Sequence, residues 1–574
     1  MARLDYFAPG VYVEEVDRGS RPIDGVQTNI AGFIGFTEAV QGGAEVGKPM
    51  LITTWNQYLE YFGKEGSDGF AQFKHDSKDY YAYLPFAVNG WFLNGGARCW
   101  VISIGTQLPK SADETTQPTP EATALTVKTS AKRDSLRFML KPEVAADGSV
   151  TVEIFSGGPK PLLSDTSDEP AANPDEPAID PNAPAPVPAE FFTILIKRDG
   201  VKLEDQYENL TMDSNVHSSV GNYVVTALQS SQFVSVENLT QRGLPLARRP
   251  SDGQYEVAPP PILPTRENLA RYVQGARDDR SGIQGLFEID EITMLACPDL
   301  MLAHQAGLMD DDQVHSIMEL MISLCENSAP NPPNRMVVLD PPFDRTKPQQ
   351  VANWLDQDFN RRSMFAALYY PWIKVPNPSN QGKPILIPPS GYMMGVWSRI
   401  DETRGVYKAP ANETPRGVIG LGYDCNFREQ ELLNPKGINC IRTFPNRGIK
   451  IWGARTLVEP DKTEWRYISV RRLISYIEKS IELGTQWVVF EPNDQDLWAR
   501  VRRTISNFLE RLWREGALFG ATPDQAFFVK CDASLNTPDT MILGRLYVEV
   551  GICPVRPAEF VVFRISQWTG QDED

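Results

Sequence analysis

Apolar residues recur at helical spacing most clearly in two stretches near the end of the chain. Over 469–483, Val470, Leu473, Ile474, Ile477 and Ile481 form a stripe with the three-to-four-residue period of one helix face. A strand-like run, QWVVF, follows at 486–490. Over 496–515, Leu497, Val501, Ile505, Phe508, Leu509 and Leu512 form a second stripe, opened by the capping residues Asn493 and Asp494 and closed near Gly516. The opposite face of this second helix carries Arg500, Arg503, Asn507, Arg511 and Arg514.

From about residue 265 short apolar runs alternate with helix-period segments. ITMLACPD (292–299), NRMVVLDPP (334–342) and FAALYYPW (365–372) are strand-like, whereas DDDQVHSIMELMISLCEN (310–327) and QQVANWLDQDFNRR (349–362) are helical. This alternation predicts a right-handed parallel α/β layer. Nearer the start, TNIAGFIGFT (28–37) and RCWVISI (98–104) read as buried strands, with aromatic helical or loop pieces such as WNQYLEYFG (55–63) between them.

Between 106 and 264 the chain changes character. The runs ALTVKTS, SLRFMLKP, SVTVEIFSG, EFFTILIKRDG and SQFVSVENL alternate with period two and predict a β-rich inserted domain. Within it, residues 159–190 hold nine prolines and seven acids against one lysine, the composition of an exposed, self-repelling loop.

Both chain ends carry strand patterns with weak burial. Val11, Val13 and Glu15 lie on one face and Tyr12, Glu14 and Val16 on the other, after Pro9-Gly10. The segment is either an ordinary edge strand or a strand lent to a neighbouring chain. AEFVVFRIS (558–566) mirrors it, with Val561, Phe563 and Ile565 on one face and only an acidic tail beyond.

Charge narrows the partners. Lys and Arg number 56 against 74 acids, a net of −18 over 574 residues, so the chain as a whole repels nucleic acid. The 496–514 helix runs against that balance, with five Arg against Asp496 and Glu510. A solvated helix face is one reading; an acidic protein partner is the other, since the interleaved aromatics of a nucleic-acid surface are missing. Seven cysteines without a C-x-x-C pattern read as reduced, buried thiols. The opening MARLDYFAPGVYVEEV lacks an apolar signal core, and the uncharged run Tyr80 to Ala97 is interrupted by Pro85, Asn89 and Asn94, so neither a secretory signal nor a transmembrane span is expected.

Catalytic patterns are thin. There is no Gly-x-Ser-x-Gly, and every Gly-Lys is followed by Pro or Glu, against a phosphate-cradling loop. Four histidines (75, 217, 304 and 315) form no H-E-x-x-H. His304 and His315 flank Asp310, Asp311 and Asp312, but acids at a helix start are what its dipole favours. Asp340, at the end of a strand, is either a working carboxylate or a turn former before two prolines. No catalytic residue, metal or cofactor is expected.

Several blocks together resemble the contractile tail sheath proteins of phages and phage-tail-like injection particles. They are PGVYVEEVDRGSRPIDGVQTNIAGFIGFTE (9–38), NGGARCWVI (94–102), ENLTMD with YVVTAL (208–213, 223–228), APAN (409–412) and LNPKGINCIRTFPNRGIKIWGARTL (433–457) with the helix that follows. The resemblance spans residues 9–104 and about 265–570.

It implies an α+β, multidomain chain and a structural role, not an enzyme. The expected division is an N-terminal linking arm (1–20), the first part of an α/β layered sheath core (21–105), an inserted β-rich outer domain (106–264), the remaining core (265–450), a tube-facing C-terminal domain (451–556) and a C-terminal linking arm (557–574). Sheath subunits stack into a hollow cylinder around an inner tube and contract to drive that tube through a target envelope. Arms exchanged between subunits are expected at Val11, Tyr12, Val13, Glu14 and Val16, and at Phe560, Val561, Val562, Phe563 and Ile565. Tube contact is expected at Arg500, Arg503, Arg511 and Arg514, with Arg471, Arg472 and Lys479 as the second choice. The implied partners are further copies of the chain, the inner tube, and baseplate and terminator proteins, without nucleic acid or membrane insertion, assembled in a cytoplasm into a phage tail or tail-like particle. The alternatives are an α/β enzyme with an accessory β domain and a non-contractile shell protein.

Overall fold

A computed structural model describes residues 22–109, 124–141, 150–156, 190–198, 201–203, 206–216, 221–240, 243–257, 266–327 and 334–564. Val11, Tyr12, Val13, Glu14 and Val16 of the first terminal strand, Ile565 of the last, and 159–189 of the proline-rich loop lie outside these residues. The chain divides into two compact units, one of residues 1–111 with 263–574 and one of residues 112–262.

The larger unit is built on an eight-stranded sheet. Its strands are Ile30–Gly35 (β1), Pro49–Ile52 (β2), Arg98–Ser103 (β3), Met294–Ala296 (β4), Met336–Leu339 (β5), Ala366–Tyr370 (β6), Ile438–Phe444 (β7) and Gly448–Ile451 (β8). They lie in the order β2-β3-β1-β4-β5-β6-β7-β8. From β3 to β7 every neighbour is parallel, and β2 and β8 close the two edges antiparallel. Strands β1, β4, β5 and β6 are buried at every position, as unbroken apolar runs must be when helices cover both faces.

The run that resembled an interrupted membrane span is a buried helix, Leu84–Asn94 (α1). Asp311–Glu326 (α2) follows later, its start closed by a reciprocal cap between Asp310 and Gln313. Helix Ser390–Arg404 (α3) packs closely on α1 because it presents glycine there. A Cβ at Gly391 would stand 2.5 Å from the Ala87 Cα, and one at Gly395 would stand 2.8 Å from the Trp91 carbonyl. The helical run at 349–362 begins as an α-helix, Pro348–Asn353, and widens into a π turn over Trp354–Phe359.

Two amphipathic helices, Ile468–Gly484 (α4) and Gln495–Arg514 (α5), carry a second apolar core in the same unit. Leu473 and Ile477 of α4 meet Leu497, Val501, Ile505, Phe508, Leu509 and Leu512 of α5, so the α5 stripe is buried in this core, while of the α4 stripe Ile481 only packs against it and Val470 and Ile474 lie outside it. QWVVF, expected as a strand, instead makes a 3₁₀ turn at Gln486–Val488 and reaches Phe490 at φ 67°. An apolar run becomes a strand only where a sheet edge lies alongside, and here it joins two helices. Beyond α5, Phe527–Lys530 (β9) pairs antiparallel with Glu549–Ile552 (β10) as a two-stranded sheet.

The second unit contains two sheets. In the larger one, Asn222–Tyr223, Tyr207–Thr211, Phe192–Arg198, Val150–Ser156 and Gly253–Val257 lie side by side; in the smaller, Val234–Asn238, Asp134–Leu140 and Ala124–Lys128 do. Alternate residues such as Leu136, Phe138, Val152, Ile154, Phe192 and Ile194 form its core.

Candidate functional site

The C-terminal segment is rooted by a single carboxylate. Glu559 accepts hydrogen bonds from Arg455 through Nε (2.9 and 3.2 Å) and through its terminal nitrogen (2.6 Å). Asn434 Nδ2 donates at 2.7 Å and the Tyr467 hydroxyl at 2.9 Å. The fork is itself held. Asn439, buried in β7, accepts from the Arg455 amide at 2.7 Å and donates to its carbonyl at 2.8 Å, and Arg455 reaches the Asn434 carbonyl at 3.0 Å. Burial alone would raise the pKa of Glu559, but the bonds from Arg455 and Asn434 outweigh it and hold the carboxyl below its usual range.

Directly after this root, Phe560, Val561, Val562 and Phe563 are 73%, 68%, 78% and 83% exposed. The expected period-2 strand is not paired there: residues 558–564 have no ladder partner among the described residues. A period-2 run forms a ladder only where a sheet edge lies alongside it.

The small sheet of β9 and β10 is a second unfilled feature. Its register runs Phe527 opposite Ile552, Phe528 opposite Gly551 and Val529 opposite Val550, and no third strand flanks it among the described residues. Phe528 and nearby Phe519, which precedes β9, are 53% and 70% exposed. Two strands alone are marginal in water.

Helix α5 starts at an Asp494 cap, which accepts from the Leu497 amide at 2.8 Å. Its polar face holds the arginines singled out from the sequence, but they do not all face water alike. Arg503 is exposed; Arg500, also exposed, lies 3.4 Å from Glu491 and over the Trp487 ring; Arg514 pairs with Glu510 at 2.5 Å. Arg511 turns back, donating to the Ile23 carbonyl at 2.7 Å and lying over Phe508.

The second-choice surface does not exist as a solvent face in this chain. Arg471, Arg472 and Lys479 are buried. Arg471 lies between the Phe365 and Trp465 rings and pairs with Glu478 at 2.9 Å, Arg472 pairs with Asp401, and Lys479 pairs with Glu482 at 2.9 Å. Guanidinium groups can be buried where aromatic faces and a carboxylate replace water.

The enzyme-like features have structural partners. Asp340 accepts from the Ser390 amide at the start of α3 (2.9 Å), and Asp299 accepts from Phe36 (2.6 Å), Tyr83 (2.5 Å) and Leu84 (3.3 Å) amides. Burial raises both carboxyls to about 7 against the pull of those bonds. His304 pairs with Asp311 at 2.8 Å, while His315 accepts from the Trp354 indole at 2.9 Å, so the two histidines are committed to different neighbours. Among the described residues no group of three or more His, Cys, Asp or Glu could hold a metal, and no helix is long and apolar enough to cross a membrane. Six cysteines are buried and Cys553 is exposed.

Two family models match in tandem: the phage tail sheath protein central domain over residues 287–457 and the phage tail sheath C-terminal domain over 461–567. Over these two stretches the chain is similar to the phage tail sheath family. Among curated relatives, the tail sheath protein of Burkholderia phage BcepMu is 27% identical over 36% of the chain and 43% of its own length. That of Salmonella phage ViI is 32% identical over 29% of the chain and 26% of its own length. The matched stretch thus spans less than half of each. In fold, the chain is similar to the helical sheath of the anti-feeding prophage in its contracted state (TM-score 0.53, 22% identity, 98% of this chain and 99% of that one). It is also similar to the contracted sheath of the extracellular injection system PVC (TM-score 0.51, 20% identity, 99% of both).

The clamp bridges the two matched regions, since Asn434 and Arg455 lie in the first and Tyr467 and Glu559 in the second. Sequence reading missed it. The available signal was a lone acid directly before an alternating apolar run, and its partner arginine stands 104 residues away.

Proposed function

We propose that this chain is the structural subunit of a contractile tail sheath. It polymerises around an inner tube in an extended, metastable state and contracts to drive the tube through a target envelope. The observation that carries this reading is the pairing, in one chain, of an exposed apolar arm at 560–563 with a two-stranded sheet that no third strand flanks among the described residues. Arms of one subunit add strands to β9 and β10 of another, and the main-chain bonds keep subunits joined while their bodies rotate. The tandem family match and the contracted-state neighbours support it.

In this reading the N-terminal residues through 20 and the C-terminal residues from 557 are exchanged arms, and the 106–264 insertion decorates the outside. Arg500, Arg503 and Arg514 on α5 face an acidic inner tube. Arg511 contributes less, because its guanidinium is engaged with Ile23. Polar contacts suit a grip that must hold and then release. Baseplate and terminator proteins bound the cylinder at its ends, and the particle is a phage tail or tail-like device assembled in a cytoplasm.

Negative-stain electron microscopy of the purified chain, without partners, tests the reading. Hollow striated tubes are expected. Discrete monomers under varied salt and protein concentration would overturn it.

A further inference from the structure

We infer that Asn434, Arg455 and Tyr467 form a carboxylate-binding site, occupied by Glu559 of the same chain, that roots the C-terminal arm on the central α/β sheet. The arm's freedom then begins at Phe560. This inference rests on the arm reading above for its purpose, but its geometry is independent of it.

Main-chain bonds hold the chain firmly up to Val555, whose amide donates to the Ala517 carbonyl at 3.1 Å. After it, no main-chain hydrogen bond holds residues 556–564 among the described residues, so the side-chain clamp at 559 is what attaches this segment. An ordinary surface ion pair would do this poorly, because two long side chains lose entropy and water competes. Here the Arg455 and Glu559 side chains are only 9% and 20% exposed, and three residues donate to one carboxylate. Arg455 has holders besides Glu559, since Asn439 bonds its backbone and the Asn434 carbonyl its fork. Charge-assisted, bidentate contacts of this kind are the strong ones.

The site also changes where load goes. The chain reaches Glu559 from β10, beside the second apolar core, yet the clamp residues belong to the segments around β7 and the start of α4. Tension on residues 560–563 therefore passes to the eight-stranded sheet and bypasses the marginal β9–β10 pair. That pair is left free to receive strands while the arm pulls elsewhere.

Spin labels test this in the full-length chain, in a Cys553→Ser background that leaves only buried thiols. One label replaces Phe560 and, in a separate sample, one replaces Phe563; labelled chains are diluted with unlabelled ones. In the parent, the label at 560 should be markedly slower than that at 563. Glu559→Gln should raise the released population at 560 about tenfold or more and leave 563 unchanged. Arg455→Lys, which keeps the charge but loses the fork, should act in the same direction. Equal mobility at 560 and 563 in the parent would overturn the inference, as would a label at 560 that Glu559→Gln does not move. Tube formation is scored in parallel on unlabelled protein. A clamp seen by mobility in a chain that never forms tubes would sink the sheath reading and leave the clamp standing.

Discussion

Arg472 of α4 and Asp401 of α3 meet as a two-pronged ion pair, at 2.9 and 2.5 Å, with side chains only 7% and 5% exposed. Thr28, on the segment entering β1, donates to the same carboxylate at 2.7 Å and accepts from Arg472 at 2.9 Å. The Trp397 ring lies against the guanidinium, 5.1 Å from its centroid. Three segments of the larger unit, α4, α3 and the one entering β1, therefore depend on one pair. A buried pair adds little net stability compared with an apolar replacement, but removing one partner strands the other charge. Asp401→Ala should cost about 3–5 kcal/mol in urea unfolding, and Arg472→Met together with Asp401→Leu should recover most of it. A single variant as stable as the parent would show that the charge is hydrated after all.

The two buried carboxyls set a pH trend. Asp299 and Asp340 titrate at about 7 in the folded chain against 3.8 for the free side chain. The native state therefore binds more protons than the unfolded one between these values. Their contribution is full below about 4 and is lost as pH rises through about 7. Asp340→Asn keeps an acceptor for the Ser390 amide, so its stability relative to the parent should improve from pH 4.5 to pH 8. A difference that does not change with pH would contradict the assignment.

Glu559 has the opposite sign. Its carboxyl is held below the usual range, so the clamp is intact above the free value of 4.5 and is lost as pH falls through the folded one. The spin label at 560 should become mobile in acid in the parent and show no such transition in Glu559→Gln. An identical acid response in both would place the titrating group elsewhere.

Phe490 is fully exposed at φ 67°, a left-handed conformation that costs a bulky residue about 1 kcal/mol. Phe490→Gly removes that strain and sacrifices no burial. Dispersed protein carrying it should melt higher, and a lower melting temperature would mean that the ring is packed.

The exposed arginines should separate tube binding from self-assembly. Arg503→Glu with Arg514→Glu should leave sheath-only tubes intact while weakening co-purification with an inner tube protein, and the remaining binding should depend less on salt. Unchanged co-purification across a salt series would remove α5 from the tube face.

Local periodicity determined much of this chain. The stripes of α4 and α5, the buried runs of β1, β3, β4, β5 and β6, and the alternating strands of the inserted unit each have their buried face written into neighbouring residues, because a helix or strand turns its side chains at a fixed interval. The resemblance of ordered blocks, not periodicity, pointed to the family. What the tertiary structure decided was pairing between distant segments. Arg471 and Arg472 read as a charged face until Phe365, Trp465, Trp397 and Asp401 close around them. QWVVF and the run at 560–563 have strand composition, yet a strand exists only beside an edge, and neither is paired with one among the described residues. The clamp on Glu559 joins residues 104 positions apart. Periodicity along a chain reports which way a side chain faces, and only the fold brings to that face the group that satisfies its charge.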